Sequence, residues 1–324
     1  MLHRMLEDRT AEAAGPAMTP AGHSGTLTAF SRTKDCRVMT VFAAIPTFNR
    51  RDVLARCLRS LLNGTVRPVI CVSDSGSSDG TAEMLRRDFP DVVICPGTSD
   101  LWWTGATNLA IREILRRCGP DDYVLCINDD TEVGPHYLEN LMSHASRNPR
   151  RAVGSVSVDS AATDTIIDGG VRMNWLTALT RTYNLGRRLS EFPPGYEQTV
   201  DVLPGRGALY PARAFRELGL FAEQDLPHYA ADYEFAARCA RAGYELLVCY
   251  DAVVRSRTDL TGMHHAQHRR SLREAYRYFF DRRSSGNLRD RFKFSMLTHQ
   301  NIFQGSLFFA LTTLRVAKHF LLPG

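Results

Sequence analysis

From residue 41 onward, short apolar runs alternate with segments whose apolar residues recur every three or four positions. "VFAAIPT" (41–47) is an uninterrupted run that ends in turn residues, the signature of a strand buried on both faces. In "RDVLARCLRSLLNG" (51–64), Val53, Leu54, Cys57, Leu58, Leu61 and Leu62 fall at helical spacing, and Gly64 stands where a helix would end. "VRPVICVSD" and "DVVICPG" predict further strands, separated by the short helix "GTAEMLRRDF". "ATNLAIREILRRCG" then reads as an amphipathic helix and "DYVLCIND" as a strand. Strands that alternate with helices predict a parallel, doubly wound α/β sheet over residues 41–150.

The pattern is less regular afterwards. "AVGSVSVD", "TVDVLPG" and "YELLVCYDAVVRS" read as strands, and "PARAFRELG" and "DYEFAARCARAG" as helices. After about residue 265 the periodicity becomes helical, ending in "NIFQGSLFFALTTLRVAKHFLL". Residues 1–37 have no periodicity and are expected to form a mobile leader. The reading is thus a leader (1–37), an α/β domain (38–262) and a helical C-terminal extension (263–324).

Composition narrows the class. The 44% apolar and 23% charged content is that of a soluble globular chain, and no stretch has the roughly 18 consecutive apolar residues of a spanning helix. The N-terminus, "MLHRMLEDRT", lacks the apolar core of a secretory signal. Together these predict a cytoplasmic protein. The eight cysteines include no CxxC pair and mostly sit in apolar runs, as buried thiols in a reducing compartment do. Net charge is +5, and Arg255–Lys293 alone holds eleven Lys and Arg against four Asp and Glu. Arginine outnumbers lysine throughout, with only Lys34, Lys293 and Lys318 among forty basic residues, so the basic segment is no nucleic-acid signature. It suits a solvated helical face, an anionic membrane surface or an anionic substrate equally well. "SLFFALTTLRVAKHFLL" is too polar to span and suited to lying on a membrane's inner face, packing on the α/β domain or forming a homodimer interface.

In open parallel sheets, ligands bind beyond the carboxyl ends of the strands. Three polar clusters fall there: "PTFNR" (46–50), "SDSGSSDGT" (73–81) and "NDD" (128–130). Taken alone, the second would be a glycine-rich turn with a helix cap; three clusters on one rim make a site. No G-x-G-x-x-G follows the first strand, and none of the three lysines completes a Gly-Lys phosphate loop. A diphosphate without such a loop needs a cation. Magnesium or manganese, held by one or two carboxylates, suits "NDD".

In order and spacing, "IPTFNR", "SDSGSSDGT", "DLWWTGATNLAI", "INDDTEV", "LPGRGALYPARAFRELGLF" and "HYAADYEFAARCARAGYEL" resemble the family 2 glycosyltransferases, most closely the bacterial rhamnosyltransferase-like branch. The resemblance covers roughly residues 40–260. It implies a GT-A fold, a nucleotide-sugar donor, a divalent metal and inversion at the anomeric carbon. Carried over by position, Pro46, Thr47 and Asn49 would line the nucleotide pocket, and Asp74 would accept a hydrogen bond from the base, with Asp79 nearby. Asp130 would contact the metal beside Asp129. Gly105 and Asn108 would pack near the donor, and Gly205, Arg206 and Gly207 would form the loop before the acceptor side. Asp232 would be the catalytic base, with Glu234 two residues on. Trp102 and Trp103 would divide between core and sugar stacking.

Two departures stand out. Ala231 replaces the usual Glu before the base, and Arg255 stands where a His ligand often occurs, with His264 and His265 close by. Arg255 or Arg257 would then help to neutralise the diphosphate. The donor would be a dTDP-, UDP- or GDP-sugar and the acceptor a glycan or lipid-linked saccharide, with no nucleic-acid partner. A nucleotidyltransferase or a non-catalytic nucleotide-sugar-binding module would share much of the first half. The first would need a Gly- and Lys/Arg-rich loop after strand one, and the second would have no use for Asp232.

Overall fold

The computed structural model describes residues 39–159, 164–256 and 272–321. β1 (Val41–Thr47), β2 (Val69–Asp74), β3 (Val93–Pro96) and β4 (Tyr123–Cys126) form a parallel half-sheet in the spatial order β3-β2-β1-β4. α1 (Arg51–Leu62), α2 (Thr81–Asp88) and α3 (Trp102–Arg117) connect them. The unbroken apolar runs follow from burial on both faces. Val41, Ala43 and Ile45 of β1 pack into one core layer with Leu54, Leu58 and Leu61 of α1. Phe42 and Ala44 pack into the opposite layer with Ala110, Ile111 and Ile114 of α3. Each fully buried leucine or isoleucine among them contributes about 1.5–3 kcal/mol.

Beyond β4 come β5 (Thr131–Val133), α4 (Tyr137–Ala145), β6 (Arg151–Asp159), β7 (Ile166–Asp168) and the hairpin β8 (Val171–Asn174) and β9 (Leu179–Thr182). β10 (Glu197–Thr199), β11 (Ala208–Pro211), α5 (Ala212–Leu218), α6 (Ala231–Arg241) and β12 (Glu245–Ser256) complete the α/β part. The sheet continues from β4 through β11, β6 and β12 to β10, with β11 antiparallel to both its neighbours. The parallel reading therefore holds for the first four strands and for β6–β12, and breaks at β11. "TVDVLPG" is not the strand its apolar residues suggest: Val202 and Leu203 are fully buried, yet β10 ends at Thr199 and the chain then turns toward Gly205. The β8–β9 hairpin has no counterpart in the sequence reading.

The helical extension comprises α7 (Leu272–Phe280), α8 (Leu288–Thr298) and α9 (Ile302–Leu321). Arg241 at the end of α6 donates to the carbonyls of Thr298 at 2.6 Å and Leu297 at 3.2 Å, and Lys293 of α8 pairs with Asp225 at 2.9 Å. Trp175, at the hairpin tip, contacts the rings of Phe294, His299 and Phe308. No described helix is long and apolar enough to cross a membrane. The seven cysteines among the described residues are free and buried, in line with the spacing argument. The leader, both expected domain boundaries, Cys36, Arg257, His264 and His265 lie outside the described residues.

Candidate active site

The loops after β1 and β2 are cross-tied by side chains. Asn49 takes a left-handed backbone (φ 52°), which its short amide side chain tolerates better than most. Its N–H donates to Ser77 Oγ at 2.8 Å, and its Oδ1 accepts from the Ser78 N–H at 2.8 Å. Asp79 caps two helices at once. Oδ2 accepts from the Arg51 N–H of α1, and Oδ1 from the N–H and hydroxyl of Thr81 in α2. Desolvation opposes the ionised form of Asp79, but the hydrogen bonds from Thr81 and Arg51 outweigh it and hold the carboxyl below its ordinary range. Asp74 is buried and accepts the Ser77 N–H at 2.9 Å through Oδ1. Pro46 and Thr47 sit beside Ser73 and Asp74 in the β1–β2 register.

The "NDD" corner meets this rim through Thr47, whose hydroxyl donates to Asp129 Oδ2 at 2.8 Å. Arg50, which sequence reasoning passed over, supplies the local counter-charge. One guanidinium nitrogen lies 3.1 Å from Asp129 and 3.3 Å from Asp130. Burial, joined by the like charge of Asp130, raises the Asp129 carboxyl to about 6 although Arg50 and Thr47 pull it down. Asp130 Oδ1 is buried and has no hydrogen-bond partner among the described residues. An orphaned carboxylate oxygen next to a second acid already bridged by a cation fits a divalent ion held by Asp130, with Asp129 beside it. The signal for Arg50 was present in "PTFNRRD", as a basic residue one step past a strand end. A separate group of His144, Cys249 and Asp251 has ligand atoms within 4.8 Å of one another, but it belongs to α4 and β12 and includes none of the rim acids.

Asn128 does not join the carboxylates. Its Oδ1 accepts the Trp103 indole N–H at 2.9 Å. The Trp103 ring in turn covers Gly205 so closely that a Cβ there would lie 2.5 Å from it, and this close approach requires glycine. The Gly205 N–H donates to Asp232 Oδ2 at 2.7 Å, while the Tyr233 N–H donates to Oδ1 at 2.9 Å. Gly207 donates its N–H at 2.9 Å to the carbonyl of Cys126, the last residue of β4. Asp232 and the end of β4, which leads into the "NDD" corner, are thereby tied to one loop, residues 205–207. Asp232 is half-buried, and burial raises its carboxyl above the ordinary range against the two N–H donors and the charge of Arg206. Arg206 Nη1 reaches Ser256 Oγ at 3.4 Å.

Other expected site residues lie behind this surface. Asn108 is fully buried, clamping the Phe221 backbone through both ends of its amide and donating to Glu223 at 2.7 Å. Gly105 packs on Leu101 at the start of the same helix. Glu234 is 3% exposed and pairs with Arg238 at 2.7 Å, turned toward the α5–α6 corner. Trp102 has a left-handed backbone (φ 52°) and lies 5.5 Å from the His228 ring, whose Nδ1 is buried without a partner among the described residues. Ala230, two residues before Asp232, is also left-handed (φ 66°). Strain of this kind, costing about 1–3 kcal/mol per residue, persists where the surroundings enforce it. Asp168, a further carboxylate that sequence reasoning missed, has its carboxyl raised by burial, accepts the Gly170 N–H at 2.9 Å and feels the charge of Arg206.

Comparison with known proteins bears on the family and the fold. The chain is 28% identical over 266 residues to an N-acetylglucosaminyl-diphospho-decaprenol L-rhamnosyltransferase of Mycobacterium tuberculosis, covering 74% of this chain and 83% of that protein. The fold is similar to that of GalNAc-T7 bound to UDP, GalNAc and Mn2+, with a TM-score of 0.57 at 14% identity over 89% of this chain. This chain spans 59% of that one. A mannosyltransferase of Pyrobaculum calidifontis in complex with GDP-Man and Mn2+ gives a TM-score of 0.53 at 18% identity, covering 84% of this chain and 68% of that one. These neighbours are GT-A glycosyltransferases, and the sheet described above is that fold. The family model for glycosyl transferase family 2 matches residues 43–216, more than half of the 324 residues. The chain belongs to glycosyl transferase family 2.

Proposed function

We propose that this glycosyltransferase moves a hexose or deoxyhexose from a nucleoside-diphosphate sugar to a hydroxyl of a lipid-linked or glycan acceptor, with inversion. The observation that carries this reading is the 205–207 loop, which is bonded to Asp232 at one end and at the other to the end of β4, the strand that leads into the "NDD" corner. The likeness to the mycobacterial N-acetylglucosaminyl-diphospho-decaprenol L-rhamnosyltransferase supports the sugar class and the acceptor. Action at the inner face of the membrane, in polysaccharide or glycolipid synthesis, is part of the same reading.

In this mechanism Thr47, Asn49 and Asp74 line the nucleotide side, and Asp79 keeps both helix starts in register. Asp232 receives the acceptor proton as the new C–O bond forms on the face opposite the diphosphate, whose oxygen leaves with the bonding electron pair. Its raised carboxyl makes it a stronger base than an exposed aspartate, and such a base contributes about 10²–10⁴ in rate. Arg206 steadies its ionised form. A divalent ion at Asp130, when bound, supplies Lewis-acid stabilisation of charge on the leaving diphosphate. Arg50 lies on the same two carboxylates and offsets their charge.

Calorimetric titration with nucleoside diphosphates, with and without manganese, tests the donor side. Asp130→Ala is expected to abolish the manganese-dependent part of binding with little change in unfolding temperature. Equal manganese-dependent binding by parent and variant would remove Asp130 from this role.

A further inference from the structure

The exposed faces of the β8–β9 hairpin and of α9 combine apolar tips with unpaired positive charge. Leu176 and Leu179 at the hairpin tip, with Phe303, Leu307 and Leu314 of α9, are between 44% and 76% exposed. On α9 the last three follow helical spacing, with Ala310 completing one outward stripe, while Phe308 on the other side packs against Trp175. Trp175 joins the two elements, so the hairpin tip and the first half of α9 are neighbours. An outward apolar stripe on a packed helix is not needed for the core.

Charge decides what this surface faces. Arg172 and Arg181 are directly opposite each other in the hairpin ladder, both exposed, and neither has a carboxylate partner among the described residues. Like charges so placed repel, and an anionic neighbour offsets that cost. No Asp or Glu occurs at residues 169–190 or 291–324, in a chain with 35 of them, whereas Arg315 and Lys318 follow the apolar stripe. A second copy of this surface would set arginine against arginine. Phospholipid headgroups would pair with the arginines while the leucines and Phe303 enter the acyl boundary, as interfacial amphipathic elements do.

We infer that the hairpin tip and the outer stripe of α9 dock on an anionic phospholipid membrane. The surface adjoins the acceptor side: α8 holds Asp225 through Lys293 and the end of α6 through the carbonyls of Leu297 and Thr298. A bilayer seated there brings a lipid-linked acceptor toward the helix that carries Asp232. That purpose rests on the proposed acceptor, whereas docking itself needs neither donor, acceptor nor metal.

Sedimentation of the full chain at low salt with phosphatidylcholine vesicles, with and without phosphatidylglycerol, tests the inference. The parent is expected to pellet with the anionic vesicles and to be released by salt. Replacing Arg172 and Arg181 by Ser should lower partitioning about fivefold per arginine, the equivalent of about 1 kcal/mol each. Leu179→Asp and Phe303→Asp should each lower it at least about tenfold, at unchanged unfolding temperature because both side chains are exposed. Three results overturn the inference: a parent that stays in the supernatant, variants that bind like the parent, or a lipid-free dimer that Phe303→Asp dissociates, which would give the stripe to a second copy. Transfer to a water-soluble acceptor analogue is a separate measurement. Its persistence in these variants keeps the glycosyltransferase reading apart from the fate of the docking surface.

Discussion

In the half proposed to bind the donor, the loops that leave β1, β2 and β4 are tied to one another by side chains: Thr47 to Asp129, Asn49 to Ser77 and Ser78, Asp79 to Arg51 and Thr81, Arg50 to both acids. In the acceptor half the ties converge on glycine main chain in one close-packed loop. Asp232 is held by the N–H groups of Gly205 and Tyr233, and the 205–207 loop by its contact with β4. Side-chain ties leave polar residues in the sequence at strand ends, where they can be read. Main-chain ties depend on close approach, which calls for glycine at 205 and strained backbone at Trp102 and Ala230. The first half is preorganised by charge and hydrogen bonding, the second by shape. Substitutions in the two halves should therefore fail differently.

The largest difference is expected at Asp232. Asp232→Ala should lower transfer by about 10²–10⁴ while donor affinity stays near that of the parent. Asparagine is a poorer test, because both carboxylate oxygens already accept backbone N–H groups and an amide would turn a donor against one of them. Glu234→Gln is the matching control. It unpairs the 2.7 Å Arg238 contact and should lower the unfolding temperature with a much smaller effect on turnover. Steady-state transfer, donor titration and thermal unfolding of the two variants separate these outcomes. Normal transfer in Asp232→Ala would move the base elsewhere, with Asp168 the next carboxylate in line.

Gly205→Ala sharpens the contrast from the side of shape. The added methyl would lie 2.5 Å from the Trp103 ring and 3.5 Å from Asp232 Cβ, so the indole has to move. That motion breaks the bond from Trp103 to Asn128 and shifts the base relative to the donor rim. A displacement of this size is expected to cost about 10² in transfer, with manganese-dependent donor binding largely kept, because the side-chain ties of the first half are untouched. Trp103→Phe loses the bond to Asn128 and part of the ring that covers Gly205, introduces no clash, and should fall between this variant and the parent. Should Gly205→Ala abolish donor binding as completely as it slows transfer, the two halves would not be separable in this way.

The same contrast explains which parts of the molecule were legible in the sequence. The parallel strands and their helices could be read because burial on both faces writes unbroken apolar runs, as in "VFAAIPT". Asp129, Asp130, Asp74 and Asp79 stood out as polar residues at strand ends. Arg50 did not, because a basic residue at a helix start reads as solvated until Asp129 and Asp130, 79 and 80 residues further along the chain, are brought to it. Asn108 and Glu234 fit a family pattern by position, but their side chains serve packing, a distinction that spacing does not carry. "TVDVLPG" has a strand's apolar content, and only the turn toward Gly205 reveals that its peptide groups pair irregularly. The β8–β9 hairpin was missed because each strand is only four residues long and β9 has no buried residue to mark an inward face.

The smallest expected effect concerns pH, and it tests whether burial governs Asp232. Burial raises its carboxyl above about 3.9, the ordinary aspartate value, even with two N–H donors and Arg206 acting the other way. As pH rises through the window between the ordinary and the raised value, the unfolded chain gives up the Asp232 proton before the folded chain does. The unfolded state then binds fewer protons, and this residue's contribution to stability declines. Transfer moves in the opposite sense, because only the ionised carboxylate accepts a proton. Acidification across the window should thus slow transfer while raising the stability of the parent relative to Asp232→Ala. The measurements are the acid limb of kcat/KM and the parent-minus-variant difference in Tm, followed over the same pH range. A difference in Tm that shrinks on acidification would mean that the ionised form is favoured in the fold, and that the N–H donors and Arg206 outweigh burial. The acceptor half would then be organised by charge after all, like the donor half.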